Sequence, residues 1–293
     1  MPRSVAELLD VLRLERVSEW RFKTAPAATT LQRVFGGQVL AQCLSAVAQT
    51  VPETRYCHSL HGYFLRPGAV DVPIDYVVEA LRDGKSFTTR RVVAQQAGKD
   101  IFTMIASYHR HEPGLDHSDI VPPGVPDPED CPSLAEVMGR PTAGGPERFL
   151  AEWGAMDVRF AGSSGPQGGL ASGAHSSHLR VWVRSGVPLP PGSPPALHQQ
   201  VVAYASDLTL LSSSVVNHRV TYVSDRLQVA SLDHAMWFHR PLRADDWWLY
   251  DQISPSASSA LGIGQGRIFQ DGVLSALCVQ EGLIRPVDPT LIP

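Results

Sequence analysis

The sequence predicts an α+β fold made of two copies of one module, each an antiparallel sheet wrapped around a central helix. Three observations carry this expectation. The run His58-Ser-Leu-His-Gly-Tyr-Phe-Leu-Arg-Pro67 returns as Asp233-His-Ala-Met-Trp-Phe-His-Arg-Pro241. An offset of 174 residues carries Tyr63 onto Trp237, Phe64 onto Phe238, Arg66 onto Arg240, Pro67 onto Pro241 and Gly98 onto Gly272. A fixed internal offset marks a duplicated unit, and two copies read as a pseudo-dimer, since a solenoid needs more. Each half also repeats the order strand, helix, then consecutive antiparallel strands. Finally, the helix is apolar nearly all round, so a sheet must enclose it.

Taken in order, Ser4-Val-Ala-Glu7 is a capping-box pattern opening a short amphipathic helix to about Leu14. Residues 16–24 alternate as a strand, with Trp20 and Phe22 on one side. Gly36-Gly37 then opens an apolar helix over residues 38–49, which Pro52 stops. Strands follow at residues 58–65 and 72–81, and a hairpin at 86–95 and 100–109 turns at Gly98. Residues 113–146 change texture to Pro, Gly and Asp, which reads as a linker. The expected division is a module over 1–112, the linker 113–146, and a second module over 147–293.

In the second half, strands at residues 155–160 and 179–183 flank a flexible loop at 162–173, and a helix spans 195–211. Strands at 228–239, 247–253, 257–269 and 274–285 complete it. Ser256, Ser258, Ala260, Gly262, Gly264 and Gly266 put small groups at period two along the penultimate strand. Something must press close to that face.

Composition removes several classes of function. A net charge of −4 gives no footprint for nucleic acid or an anionic membrane. The four cysteines lack Cys-x-x-Cys spacing, so neither a disulfide framework nor a zinc site is expected. No apolar run approaches the ~18 residues of a membrane span. The chain ends in Leu291-Ile-Pro293 and carries no peroxisomal tripeptide, so the expected location is the cytoplasm. Asp83-Gly-Lys-Ser86 resembles the tail of a phosphate loop, but Glu79 stands where the first glycine is required. Gly262-x-Gly264-x-Gly266 has the wrong spacing for a dinucleotide site, and no Gly-x-Ser-x-Gly elbow occurs. His109, His111, His175 and His178 lack further ligands at metal spacing. No cofactor or metal is expected.

Two polar residues stand out in apolar runs. Asp207 lies within residues 201–211, where a carboxylate either sits on an exposed edge of the helix, is hydrogen-bonded for structure, or is a general base with its pKa raised by burial. Gln280 lies in the strand 274–284, where an amide is either a satisfied core group or a holder of water through its N–H donors and carbonyl. Ser231 alone is unremarkable. Strand alternation puts His58 and His61 on opposite faces.

The stretches Phe35-Gly-Gly-Gln-Val39, His58 to Gly68, Arg82-Asp-Gly-Lys-Ser-Phe87, Tyr204-Ala-Ser-Asp-Leu208, Asp233 to Pro241, Ser256-Ala-Ser-Ser259 and Val279-Gln-Glu-Gly282 span residues 31–285. Together they make the chain resemble the acyl-CoA thioesterase II (TesB-type) family of double-hotdog hydrolases. The resemblance implies two hotdog modules and hydrolysis of acyl-CoA to fatty acid and CoA by an activated water. It puts the family's catalytic Asp on Asp207 and its Gln on Gln280. The family's Thr position holds Ser231, which keeps the hydroxyl and loses a methyl. The expected partner is acyl-CoA, with its acyl chain beside the second helix. Arg66, Arg90 and Arg91 are candidates by charge for its phosphates. The expected assembly is a homodimer or larger.

Ala106 stands at the 174-residue offset from Gln280, so the first module is expected to lack a working site. One rival reading is a hotdog enoyl-thioester hydratase or dehydratase. That chemistry needs a His/Asp or His/Glu pair, and the only close one, Asp233-His234, points to opposite faces. The other rival is a non-catalytic acyl-CoA-binding protein.

Overall fold

The computed structural model describes residues 1–27, 29, 31–138, 153–165, 168–170, 177–218, 220 and 224–291. The first half contributes α1 (Val5–Leu12), β1 (Glu15–Ser18), β2 (Arg21–Lys23), α2 (Gly36–Ala48), β3 (Arg55–Phe64), β4 (Asp75–Asp83), β5 (Phe87–Gln96) and β6 (Lys99–Arg110). A short helix, α3 (Leu134–Met138), lies in the connection. The second half contributes β7 (Met156–Ser163), β8 (Ser177–Ser185), α4 (Pro195–Ser206), β9 (Leu227–Ser231), β10 (Asp233–Phe238), β11 (Trp248–Ser258), β12 (Leu261–Gln270) and β13 (Val273–Pro286). The strands join in one antiparallel sheet in the order β1-β2-β4-β5-β6-β3-β10-β13-β12-β11-β8-β7, with β9 also on β13. Read outward from the β3–β10 seam, the two sides have the same connectivity.

The register repeats as well. Adding 174 to both members of His61–Ile105, Arg91–Ile105 and Asp75–Gln95 gives Ala235–Val279, Gln265–Val279 and Leu249–Phe269, all observed pairs. The irregularity between Ala94 and Gln95 returns between Ile268 and Phe269. The turns Ala97-Gly98 and Asp271-Gly272 both have positive φ at two successive residues, 47° and 74° against 51° and 80°. That turn matches the twist of the strands it joins. At the seam His61 faces Ala235, its own counterpart, as happens where a two-fold axis crosses a sheet.

Before β3 the offset changes. Arg21 pairs with Val77 and Arg180 with Asp251, which sets the offset of β2 onto β8 at 159. Carried through the helices, it lays 36–48 on 195–207. The second half therefore has 15 extra residues between its helix and the strand at the seam. They include a 3-10 turn, Leu211–Val215.

The helices fill the concave side. Every residue from Gly37 to Val47 in α2 is buried, as is every residue from His198 to Ser206 in α4. Each helix is enclosed because apolar side chains leave it in all directions. Ser4 caps α1 by accepting from the Glu7 N–H at 3.2 Å, as its capping pattern predicts.

Four expectations are corrected. The strand over 16–24 breaks into β1 and β2 at the turn Glu19-Trp20. The helix expected to reach Leu211 ends at Ser206, because Asp207 is drawn out of it as the cap toward partners on other elements. The strand over 228–239 breaks at Leu232, whose N–H donates to the Glu281 carbonyl while its own carbonyl accepts from Phe64 N–H. The small-residue stripe is no single strand either. Ser259 and Ala260 form a left-handed turn, φ 52° and 61°, which leaves Ser256 and Ser258 on β11. The close approach is nevertheless real at the glycines. A Cβ on Gly264 would stand 2.8 Å from the Leu210 carbonyl oxygen, and one on Gly266 2.3 Å from the Tyr250 ring.

The flexible loop expected at 162–173 begins with two residues of β7, and 166, 167 and 171–173 lie outside the described residues. The described part of the 113–146 connection is held against the second half. Ile120 bridges to Val273, and the Trp182 indole N–H donates to the Pro126 carbonyl at 3.0 Å. Residues 139–146 lie outside the described residues.

Candidate active site

Asp207 caps the C-terminus of α4, the negative end of that helix, and its side chain is only 4% exposed. Burial pushes its pKa up from 3.8 to about 6. Three donors pull the other way: the Gln280 amide, the Gly37 backbone N–H and the Ser231 hydroxyl. Gln280 Nε2 lies 2.5 Å and Ser231 Oγ 3.4 Å from Asp207 Oδ1.

Gly37 belongs to the other half of the chain. The N-terminus of α2 abuts the C-terminus of α4, so the positive end of one helix meets the carboxylate at the negative end of the other. Two glycines make this approach possible. A Cβ on Gly36 would lie 2.7 Å from Asp207 Oδ2, and one on Gly37 only 2.4 Å from the Tyr204 carbonyl oxygen. Phe35, just before them, sets its ring edge-on to Tyr204 at 5.2 Å.

Gln280 points inward from β13 and is wholly buried. Its Nε2 donates to Asp207 and, at 2.8 Å, to Ser231 Oγ at the end of β9. Its Oε1 is buried without a protein partner. The structure thus revises one expectation. Both amide protons hold side chains, and the carbonyl oxygen is what remains for water.

The sequence-predicted Asp207, Ser231 and Gln280 therefore meet. They come from a helix end, a strand end and a strand centre. Their counterparts in the first half are Ala48, by the helix offset, and Cys57 and Ala106, by the 174-residue offset. Cys57 faces Tyr108 as Ser231 faces Gly282. None of the three can reproduce the network.

One residue was missed. His234 lies inside β10, wholly buried, with Nδ1 4.0 Å from Asp207 Oδ1 and Nε2 2.9 Å from Ser206 Oγ. Burial lowers its pKa from 6.5 to about 4. Asp233 does point the opposite way, to His61 Nε2 at 3.1 Å. Alternation alone puts His234 with Met236 and Phe238 on the helix side, and that was the available signal. What sequence could not supply was the identity of the helix residue it meets.

The other candidates stand apart. A register shift between Cys57 and Ser59 cancels the alternation, so His58 shares the outer face with His61. There its Nε2 lies 2.8 Å from Ser107 Oγ. Arg90 is buried, holding Asp83 and the Thr50 carbonyl, so its charge is already matched inside the fold. Arg66 donates to the Asp100 carbonyl, and Arg91 reaches Glu79. Among the described residues no group of three His, Cys, Asp or Glu side chains could hold a metal. Among them, too, no helix is long and apolar enough to cross a membrane.

Two family models match the chain. One described as acyl-CoA thioesterase N-terminal domain covers residues 24–109, and one described as acyl-CoA thioesterase covers 155–283. Human acyl-coenzyme A thioesterase 8 is 36% identical over 94% of this chain and 88% of its own. Acyl-CoA thioesterase 2 of Haemophilus influenzae is 35% identical over 95% of this chain and 96% of its own. The crystal structure of acyl-CoA thioesterase II TesB2 from Mycobacterium marinum superimposes with a TM-score of 0.78, at 40% identity over 95% of this chain and 98% of that one. The same architecture recurs in a hot dog fold protein from Alicyclobacillus acidocaldarius, with a TM-score of 0.74 and 19% identity over 96% of this chain and 98% of that one.

Proposed function

The chain belongs to the acyl-CoA thioesterase II family and hydrolyses acyl-CoA, and we propose that Asp207, Ser231 and Gln280 do the chemistry on a water molecule. The observation that carries this reading is the convergence of the three polar side chains in an apolar interior, with Gln280 Oε1 buried and unpaired. Such a group needs a partner, and a water supplies one. Asp207 takes a proton from that water as the oxygen attacks the thioester carbonyl. Backbone N–H groups receive the developing oxyanion. Collapse of the tetrahedral intermediate breaks the carbon–sulfur bond and releases CoA thiolate and the fatty acid. Thiolate leaves readily, so no strong acid is required.

Ser231 positions the water and does not attack, because its contact with the base is long for the proton transfer a nucleophilic serine needs. Its hydroxyl lies 3.4 Å from Asp207 and receives the Gln280 amide, an arrangement suited to holding it still. Intact-mass analysis of the protein during turnover of palmitoyl-CoA tests this directly, and no acyl adduct should appear at any point. An acyl ester on Ser231 would replace the water mechanism by a covalent one.

The His234–Asp207 proximity is the kind of pair a hydratase requires. His234 is wholly buried, with Nε2 against Ser206 Oγ and Nδ1 toward Asp207, which supports a place behind the carboxylate and the hydrolytic reading. A hydratase would consume an enoyl-CoA without releasing thiol.

The same proposal includes two hotdog modules over 1–112 and 147–293, residence in the cytoplasm, and assembly as a homodimer or larger. Four free, buried cysteines support a reducing compartment. Exposed Tyr63, Ile105 and Trp237 beside the seam support association. Sedimentation velocity at micromolar concentration tests the assembly, and a monomer would refute it.

A further inference from the structure

Behind the Asp207 carboxylate lies a buried pair that the water mechanism does not use. His234 Nδ1 has no hydrogen-bond partner and stands 4.0 Å from Asp207 Oδ1. Its Nε2 stands 2.9 Å from Ser206 Oγ, on the last residue of the helix that carries Asp207. An unpaired nitrogen in a dry interior is unfavourable unless something nearby compensates it.

Ser206 decides which nitrogen carries the proton. Its hydroxyl has one proton to give and two strong acceptors at the same 2.9 Å, the Ala203 carbonyl and His234 Nε2, with the Met236 sulfur a weaker one at 3.5 Å. If the proton goes to Ala203, His234 donates from Nε2 and turns the Nδ1 lone pair on the carboxylate. If it goes to Nε2, Nδ1 carries the hydrogen and aims an N–H dipole at Oδ1. Beside an ionised Asp207 the first arrangement is repulsive and the second attractive, and the low local dielectric enlarges the difference.

We propose that His234 is a positioning residue for the general base: held by Ser206 with its proton on Nδ1, it favours the ionised carboxylate of Asp207. The proposal rests on the reading of Asp207 as the base. His234 touches no reacting atom and transfers no proton. At 4.0 Å its N–H acts as an oriented dipole and not as a full hydrogen bond, so it tunes the base. Among the described residues three titratable groups face Asp207: Tyr204 from its own helix, Tyr250 from β11 and His234 from β10. Both tyrosines are held neutral by burial, so His234 supplies the adjustable dipole. Asp233 and His61 act on His234 by charge from the outer face.

Two substitutions separate tuning from packing. His234→Asn keeps an N–H donor near the Nδ1 position, whereas His234→Gln keeps the reach to Ser206 and removes the donor toward Asp207. In the pH profile of kcat/KM with palmitoyl-CoA, the acidic midpoint should rise by roughly half a unit to one unit in His234→Gln. It should return toward the parent value in His234→Asn. A merely structural role would lower turnover and thermal stability in both variants with the midpoint unmoved, and that result would overturn the proposal.

Nitrogen-15 NMR of the parent imidazole at pH 8 gives a readout independent of activity and of either variant's folding. It should show Nδ1 protonated, and an Nε2–H tautomer would equally overturn it. The two readings fail differently. If Asp207→Asn keeps turnover and the acidic limb, the base lies elsewhere. If that limb vanishes in Asp207→Asn but stays in place in His234→Gln, only the role of His234 is lost.

Discussion

The two halves of this sheet agree in strand order, in register and in where a strand slips, yet they differ completely at the end of the enclosed helix. Asp207, Ser231 and Gln280 occupy one side; Ala48, Cys57 and Ala106 occupy the other. The helix starts differ as well. Gly36-Gly37 lets α2 approach and donate to a carboxylate, whereas the matching positions of α4 are Pro195-Ala196, which carry a Cβ where that close approach leaves no room. The comparison teaches that a shared backbone does not demand a shared site. Buried polar groups are unfavourable unless each finds its partners, so the polar network stands once and the matching space is apolar. The first half still serves the site through the N-terminus of α2.

Making the second half like the first should abolish most activity. Gln280→Ala copies Ala106 and removes the amide that holds both Asp207 and Ser231. We expect kcat to fall by about 10²–10³, the usual effect of losing one positioned donor. Steady-state hydrolysis of palmitoyl-CoA checks this, and near-parental turnover would separate Gln280 from the chemistry. Gly37→Ala copies Ala196 and drives a methyl into the Tyr204 carbonyl. A loss of about 1–3 kcal/mol is expected by urea unfolding, from strain where the two helices meet. Ser231→Ala should lose roughly 10–10³-fold in kcat while Ser231→Thr keeps most activity, because the hydroxyl does the positioning. The mirror experiment, Cys57→Ser in the first half, should change kcat by less than about two-fold, since neither Ala48 nor Ala106 can complete a network there.

Protonation gives a subtler contrast within the proposed site. Asp207 has its folded pKa raised to about 6, above its ordinary 3.8, so its stabilising contribution is present below 3.8 and lost as pH rises through 6. His234 has its folded pKa depressed to about 4, so its contribution is present above 6.5 and lost as pH falls toward 4. Across that window the two effects oppose each other and nearly offset. Asp207→Asn removes one of them. That variant should be more stable than the parent by about 1–3 kcal/mol at pH 8, with the advantage gone by pH 4. Thermal unfolding across pH measures it.

Much of this was legible from the chain. The repeat shows that both halves share one order of elements along the chain, because Arg66–Pro67 and Arg240–Pro241 follow equivalent strands and Gly98 and Gly272 occupy equivalent turns. Asp207 and Gln280 were legible as polar residues in apolar runs. The helix end at Ser206 was not, because residues 207–211 remain apolar enough to continue a helix and only tertiary partners stop it. Alternation alone puts His58 and His61 on opposite faces, because a register shift leaves no mark on the sequence pattern. Charge alone makes Arg90 a candidate for the CoA phosphates, but its partners Asp83 and Thr50, which lie in other segments, bury it. His234 lay in plain view beside Asp233, and its importance depended on a helix end 27 residues earlier.

The central claim is that one carboxylate, in one half, acts as the base. Measuring kcat of Asp207→Asn on palmitoyl-CoA at pH 8 tests it most directly, since the substitution keeps the volume and removes the charge. The account predicts a fall of about 10²–10⁴ in a protein that remains folded. A variant that kept more than about a tenth of parental turnover would place the base elsewhere and contradict it.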